Sequence, residues 1–317
     1  MIAIDLDDTL LRDDTTVSAY TIETIQRARQ KGIHILIATG RMYGTASPYG
    51  RMLKLGDIPM MLFGGSLIQT LESKRKLFSQ PIPQDVTKQV LGLARIHGWT
   101  IQSYIDDVLG VAVRNEYVRA YEESIHCHAV EMGERFYQPV GSSDKLLALG
   151  PHDELMQVKD CLETEMADTF SITFSKPTFL EIGPDGVSKG KCLERLCSLY
   201  GITLEDVMAF GNGLNDISML EAVILPLDAD EATRTRCKNA GVEVILALPR
   251  ALWGIENAVR ARMKACKAMG DTHFYCGNLG ALALCKELGV SAHGGFSLNA
   301  FNTECLRFFE EFGLDAV

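Results

Sequence analysis

The sequence predicts an α/β protein: a parallel-sheet core carrying an inserted α+β region, followed by a partial (β/α) barrel-like segment. Three observations carry this. Short apolar runs end in acidic or hydroxyl residues, Met1–Ile4 into Asp5 and Ile33–Ala38 into Thr39, as buried parallel strands do where they reach a ligand site. A similar strand and loop return at 207–216 after a long interval. Beyond residue 242, strand and helix patterns alternate regularly.

The first strand meets Asp5, Asp7, Asp8 and Thr9. Ser18 can cap a helix whose apolar face is Ile22, Ile25 and Ala28 and which stops at Gly32. The next strand ends in Thr39-Gly40-Arg41, completing one βαβ unit. Far along the chain, Ser188-Lys189-Gly190 opens a helical pattern (Cys192, Leu193, Leu196, Tyr200) that closes at Gly201. Val207–Phe210 then reads as a strand, with the glycine-rich loop 211–216 (Gly211, Asn212, Asn215, Asp216) at its carboxyl end.

These segments resemble, in order and spacing, the four motifs of the haloacid dehalogenase (HAD) superfamily, and specifically its Cof-type phosphatases. The matching stretches are DLDDTLL, ILIATGR, GVSKGKCLERL and FGNGLNDISML, over about residues 1–222. The resemblance implies an HAD-type Rossmann-like core at 1–80 and 187–223 with a cap domain inserted at 81–186. The residue types suit phosphoryl transfer on their own terms. A carboxylate beside a divalent cation can attack phosphorus, and a second can protonate the leaving oxygen and then deprotonate water. Crowded carboxylates favour a hard cation such as Mg²⁺, and the phosphoryl oxygens need donors.

By resemblance, Asp5 is the nucleophile, Asp7 the general acid/base, Thr39 the phosphoryl hydrogen-bond donor and Lys189 the cation that steadies Asp5 and the phosphoryl group. Thr39, Gly40, Arg41 and Lys189 are the substrate-binding candidates. The metal candidates are Asp5, Asp7 through its backbone carbonyl, Asn212 and Asp216. A carboxylate at Asp7 points to phosphate-ester hydrolysis or phosphoryl transfer. Plainer roles exist for several of these residues: Asp8 and Thr9 as local turn partners, Arg41 as a solvated surface arginine, Asp216 as a helix cap. The sequence departs from the family pattern twice. Asn212 stands where Asp is usual, which implies weaker Mg²⁺ binding, and Gly64 replaces the polar residue of an Asn-Gly-Ala turn. The expected function is an Mg²⁺-dependent phosphatase acting on a sugar phosphate, nucleotide or cofactor phosphate through an aspartyl-phosphate. The alternative is a catalytically weakened HAD-fold scaffold or fusion product.

In the insertion, helices are expected near Pro83–Gly98, Glu116–Glu123 and Glu154–Ala167. Strands are expected at Ile101–Ile105, Val108–Val113 and Lys145–Leu149, with a hairpin of Phe170–Phe174 and Thr178–Ile182. His126 and His128 read as surface histidines. Leu225–Asp228 with Glu231–Ala240 reads as a worn end of the core, and the likeness to HAD stops near Val242. Strands then read at Val242–Leu248, Thr272–Cys276, Val290–His293 and Leu314–Val317, with helices at Ile255–Met269, Leu279–Leu288 and Asn299–Phe312. The segments LPRALWG, YCGNLGALALCKELG and HGGFSLNAFNTECLRFFEEFGLDAV also resemble part of the collagenase-like U-type peptidase and RNA-hydroxylation family. Asn299 and Asn302 fall on its motif and read as capping or turn residues. Cys276 and Cys305 do not match its cluster ligands, so neither cluster nor peptidase activity is expected. A half-barrel leaves an open sheet edge and face, which makes a homo-oligomer possible.

The composition narrows the partners. Of 317 residues 47% are hydrophobic, and the net charge is -10. An acidic chain lacks the field that grips nucleic acid, while small phosphate esters need only a local positive patch. Nine scattered cysteines, an odd number with no CxxC, argue for reduced thiols rather than a secreted disulfide framework. With no leader-like N-terminus and no membrane-length apolar run, a cytoplasmic protein is expected.

Overall fold

The structure, a computed structural model, describes residues 1–166, 169–212, 215–220, 222–295, 298 and 303–315. They divide into two compact units, Met1–Met219 and Leu220–Val317. The first unit begins with β1 (Ile2–Ile4), α1 (Ala19–Gln30), β2 (Ile35–Ala38), α2 (Tyr43–Met52), β3 (Pro59–Leu62), β4 (Leu67–Thr70) and β5 (Lys76–Ser79). It continues through α3 (Gln84–His97), β6 (Ile101–Ile105), β7 (Val108–Val111), α4 (Glu116–Ile125), β8 (Val130–Glu131), β9 (Lys145–Leu149) and α5 (His152–Glu165). The hairpin β10 (Phe170–Lys176) and β11 (Phe179–Pro184), helix α6 (Lys189–Tyr200) and β12 (Met208–Phe210) complete it.

One sheet has the order β12-β1-β2-β3-β4-β5. Its first four strands are parallel, and β4 and β5 add an antiparallel edge. Strands β2 and β3 are buried at every position, as continuous apolar runs must be when both faces are covered. Alternate residues feed two separate cores. Ile35, Ile37, Met60 and Leu62 pack into one, while Leu36, Ala38 and Met61 pack against Cys192, Leu193, Leu196 and Cys197 of α6. Each Ile, Leu or Met side chain among these contributes about 1.5–3 kcal/mol on burial.

The second sheet has the order β10-β11-β9-β6-β7-β8. The period-2 alternation of β9 explains its two faces. Leu146 and Ala148 pack against Val90, Leu91 and Ala94 of α3 and against Leu155, Val158 and Leu162 of α5. Leu147 and Leu149 instead join the cluster that holds Ile37, Leu62 and Phe63. The inserted sheet therefore shares a core with the first sheet, and an Asp107 carboxylate at the β6–β7 turn accepts from the Gly44 N–H at the start of α2, 3.1 Å away.

The second unit contains β13 (Ala222–Pro226), α7 (Glu231–Asn239), β14 (Glu243–Ala247), α8 (Glu256–Ala268), β15 (His273–Cys276), α9 (Leu279–Leu288), β16 (Ser291–Gly294) and α10 (Thr303–Phe312). Its strands form one parallel sheet in the order β13-β14-β15-β16. Among the described residues this sheet is open, with four strands and no closing partner. The core expected at 187–223 runs slightly past the boundary of these units, and β13 bonds to β14 within the second unit. No strand forms at Leu314 or Asp315, where the Leu314 N–H closes a turn onto Phe309; residues 316–317 lie outside the described residues, as do Asn299 and Asn302 and the side chain of Cys305. The eight described cysteines are free thiols. No helix among the described residues is long and apolar enough to cross a membrane.

Candidate active site

The site forms where strand ends of the first sheet meet the start of α6. The Asp5 N–H donates to the Phe210 carbonyl at 2.9 Å, which fixes the ends of β1 and β12 side by side. Ser188 caps α6, its hydroxyl accepting from the Lys191 N–H, and so presents Lys189 at the first helical position. The Lys189 ammonium donates to Asp5 Oδ1 at 2.7 Å and to Asp216 Oδ1 at 2.6 Å. All three side chains are buried: 1% exposed for Lys189, 8% for Asp5 and 1% for Asp216. Asp216 is held in turn by the Asn212 N–H, 3.1 Å from Oδ2. Two glycines make room. A Cβ on Gly211 would overlap the Asp216 carboxyl group, and one on Gly190 would overlap the Ser218 carbonyl.

Burial pushes the Asp5 carboxyl up to about 6, opposed by Lys189 and reinforced by Asp216. Burial also disfavours the Lys189 ammonium, but Asp5 and Asp216 outweigh it and hold its pKa above the ordinary value. One buried ammonium thus serves two buried carboxylates and leaves an excess of negative charge. All the side-chain donors there are oxygens, the donor set that suits a hard divalent cation.

Asp7 lies in the tight turn after β1, and Arg41 grips both its oxygens: Nε is 3.2 Å from Oδ1 and 2.9 Å from Oδ2, and a terminal nitrogen is 2.5 Å from Oδ1. Arg41 is 8% exposed, so the surface reading of this residue is corrected: the neighbouring carboxylate draws it inward. Asp8, at φ 56, lines the cleft and faces Lys176 at 4.0 Å instead of capping backbone amides. The Thr9 hydroxyl donates to Asn212 Oδ1 at 3.2 Å. Thr39 is fully buried, and its oxygen accepts from the Arg41 N–H at 3.1 Å, which leaves the hydroxyl proton for another acceptor. Gly64, at φ 68, lines an adjoining cavity beside Lys189 and Asn215. Gly213 and Leu214 of the last motif lie outside the described residues.

Asp5, Asp7, Gly40, Arg41 and Asn212 line one cleft, facing Tyr121, Lys145, Phe179 and Glu181 of the inserted region. Lys145 donates to the Gly40 carbonyl at 3.0 Å and pairs with Glu181 at 3.6 Å. Sequence reasoning missed these four. The only signal was a lysine opening the apolar run of β9, and its cleft partners stand far from it in the chain. His126 and His128 lie apart, His126 near Thr15 and His128 near Glu122. Neither joins a group of metal-ligating side chains among the described residues.

Comparison with known proteins places the chain in a family. The family of haloacid dehalogenase-like hydrolases matches residues 2–247. The match runs beyond the motif likeness, which ended near 222, and beyond the stop expected near Val242, through β14. A pyridoxal phosphate phosphatase of Escherichia coli is 28% identical over 249 residues, covering 74% of this chain and 90% of that protein. An HMP-PP phosphatase of Serratia proteamaculans is 28% identical over 227 residues, covering 70% of this chain and 80% of that one. A crystal structure of a haloacid dehalogenase-like hydrolase from Bacteroides thetaiotaomicron superposes with a TM-score of 0.67 at 25% identity, covering 77% of this chain and 93% of that one. The chain belongs to the haloacid dehalogenase-like hydrolase family, in its Cof-type branch, and is a phosphoric monoester hydrolase.

Proposed function

We propose that the protein is an Mg²⁺-dependent phosphatase that hydrolyses a small phosphorylated metabolite through an aspartyl-phosphate on Asp5. The observation that carries this reading is the buried Lys189 bonded to both Asp5 and Asp216 at the converging strand ends. Asp5, the Asp7 backbone carbonyl, Asp216 and Asn212 would hold the cation. When bound, Mg²⁺ supplies charge neutralisation between the Asp5 nucleophile and the phosphoryl oxygens.

In the first step an Asp5 oxygen forms a bond to phosphorus while the bond to the leaving oxygen breaks, and Asp7 gives that oxygen a proton. In the second, Asp7 takes a proton from water, whose oxygen bonds to phosphorus as the Asp5 ester bond breaks. Inorganic phosphate and the Asp5 carboxylate are regenerated. The Thr39 hydroxyl and Lys189 donate to the phosphoryl oxygens as their charge develops. Arg41 orients Asp7, and Gly40 shapes the cleft wall.

We read residues 81–186 as a cap that closes over the leaving group and excludes water. Lys145, Glu181 and the rings of Tyr121 and Phe179 would select that group. A charged pair beside aromatic rings suits a polar, ring-bearing alcohol, in keeping with relatives named for pyridoxal phosphate and HMP-PP. The test is hydrolysis of an aryl phosphate with and without Mg²⁺, by wild type and Asp5→Asn. Turnover by the wild type only with Mg²⁺, and none by Asp5→Asn, is the expected result. Equal turnover by both proteins would overturn the assignment, and silence from both would favour a scaffold.

A further inference from the structure

We propose that Glu243, His273 and His293 form a second metal site, for a divalent transition cation of the zinc class, on one face of the β13–β16 sheet. The register places the three together. Ile245 pairs with His273, His273 with Ser291, and Tyr275 with His293. Side chains alternate across a strand, so Glu243, His273 and His293 point to the same side from three consecutive strands. The other side carries Val244, Leu246, Phe274 and Ala292, all buried.

The ligand atoms converge. His273 Nδ1 lies 2.9 Å from Glu243 Oε1 and 3.0 Å from His293 Nε2. All three atoms fall within 4.8 Å of one another. Ligands on tetrahedral zinc, at about 2.0–2.1 Å from the metal, stand about 3.3 Å apart, so a few tenths of an ångström of opening admits the ion. Two imidazole nitrogens and one carboxylate oxygen are a zinc donor set and a poor one for Mg²⁺. Glu243 is exposed and the histidines are half-buried, which leaves an entry path and a fourth position for water. Ligands drawn from three strands would pin β14, β15 and β16 together.

The full-length protein, with excess Mg²⁺ present to occupy oxygen-only sites, is titrated with Co²⁺ and followed by visible absorption. The expected result is one equivalent giving the strong band of a low-coordinate, histidine-ligated ion. Asp5→Asn should keep the band, and His273→Ala/His293→Ala should lose it while retaining the wild-type far-UV circular dichroism as evidence of folding. Glu243→Gln, a mild change at an exposed side chain, should weaken Co²⁺ binding by roughly tenfold to a hundredfold and serves if the double variant fails to fold. No band in the wild type, a band that survives both histidine replacements, unchanged Co²⁺ binding by Glu243→Gln, or a band lost with Asp5→Asn would each overturn the proposal.

Discussion

Replacing Lys189 by Met removes the ammonium that bonds both Asp5 and Asp216. At 2.6–2.7 Å and almost complete burial, each contact is worth about 6 kcal/mol of gross attraction at an effective dielectric near 20. Desolvation of the three ions cancels most of that. Removing one partner of a buried ion pair costs about 3–5 kcal/mol, because a buried charge is left uncompensated. The sign with pH follows from Asp5. Its folded value, about 6, already exceeds 3.8, and losing Lys189 raises it further. A carboxyl raised on folding stabilises the fold fully below 3.8 and loses that contribution as pH rises through the folded value. The deficit of Lys189→Met is therefore largest near pH 8 and narrows by about 1.4 kcal/mol per pH unit as acid protonates the carboxyl. Urea unfolding in chelator measures it. Trp253 is 95% exposed in the second unit, so a Trp253→Phe background leaves Trp99 to report the first unit alone. A loss below about 1 kcal/mol, or one that does not change between pH 8 and pH 6, would refute the reasoning.

Asp144 offers a second pH dependence: burial first, then Asp106 and Asp107, lift it to about 6 against the pull of Lys76. Its ionisation should cost about 3 kcal/mol of stability as pH rises from 3.8 through 6, and Asp144→Asn should recover that at pH 8 and gain nothing at pH 4 in paired urea titrations. Restoring a carboxylate with Asn212→Asp should tighten Mg²⁺ binding by roughly tenfold, read as the Mg²⁺ concentration giving half-maximal aryl phosphatase activity. Arg41→Lys keeps the charge but loses the two-pronged grip on Asp7. It should lower kcat by about tenfold to a hundredfold, and more for alkyl than aryl phosphates, because the poorer leaving group depends more on the proton that Asp7 delivers.

What the sequence made legible was what short range controls. Strand β6 falls on the expected Ile101–Ile105, and α9 on Leu279–Leu288, where the Asn278 side chain and Gly289 close the two ends. Helix α1 starts after Ser18, whose hydroxyl accepts from the Thr21 N–H as a capping residue should. Helix α2, with Pro48 inside it, and the β3–β5 segment went unread, because proline, glycine and short strands blur any period. In the site, the carboxylates that the structure brings to Lys189 were legible because they follow apolar strands. The Arg41–Asp7 clamp, the Lys145–Glu181 pair and the Glu243–His273–His293 group were not. Each joins residues that only the pairing of distant strands or loops brings together, and no local pattern marks which side chains will meet.

Lys189 shows why one part of the site stands out locally as well. A cation at the first position of a helix faces the positive end of the helix dipole and the unpaired N–H groups there, an arrangement worth roughly 0.3–1 kcal/mol in the wrong direction. Helix α6 has no acidic residue in its first turn to offset it, and the lysine is buried as well, which carries a larger cost. Two rules of local stability are broken at one residue, and the gain that outweighs them is tertiary: Asp5 from the end of β1 and Asp216 from the far side of the loop after β12. Such a conflict between local preference and tertiary placement is expected where function sets the arrangement. The same logic ranks the other cations of the cleft. Arg41 and Lys145 are also buried, but each answers one nearby carboxylate, Asp7 or Glu181, and breaks no helix rule. Lys189 alone among the three holds two carboxylates that remain in excess of it, and that excess is what a divalent cation would complete.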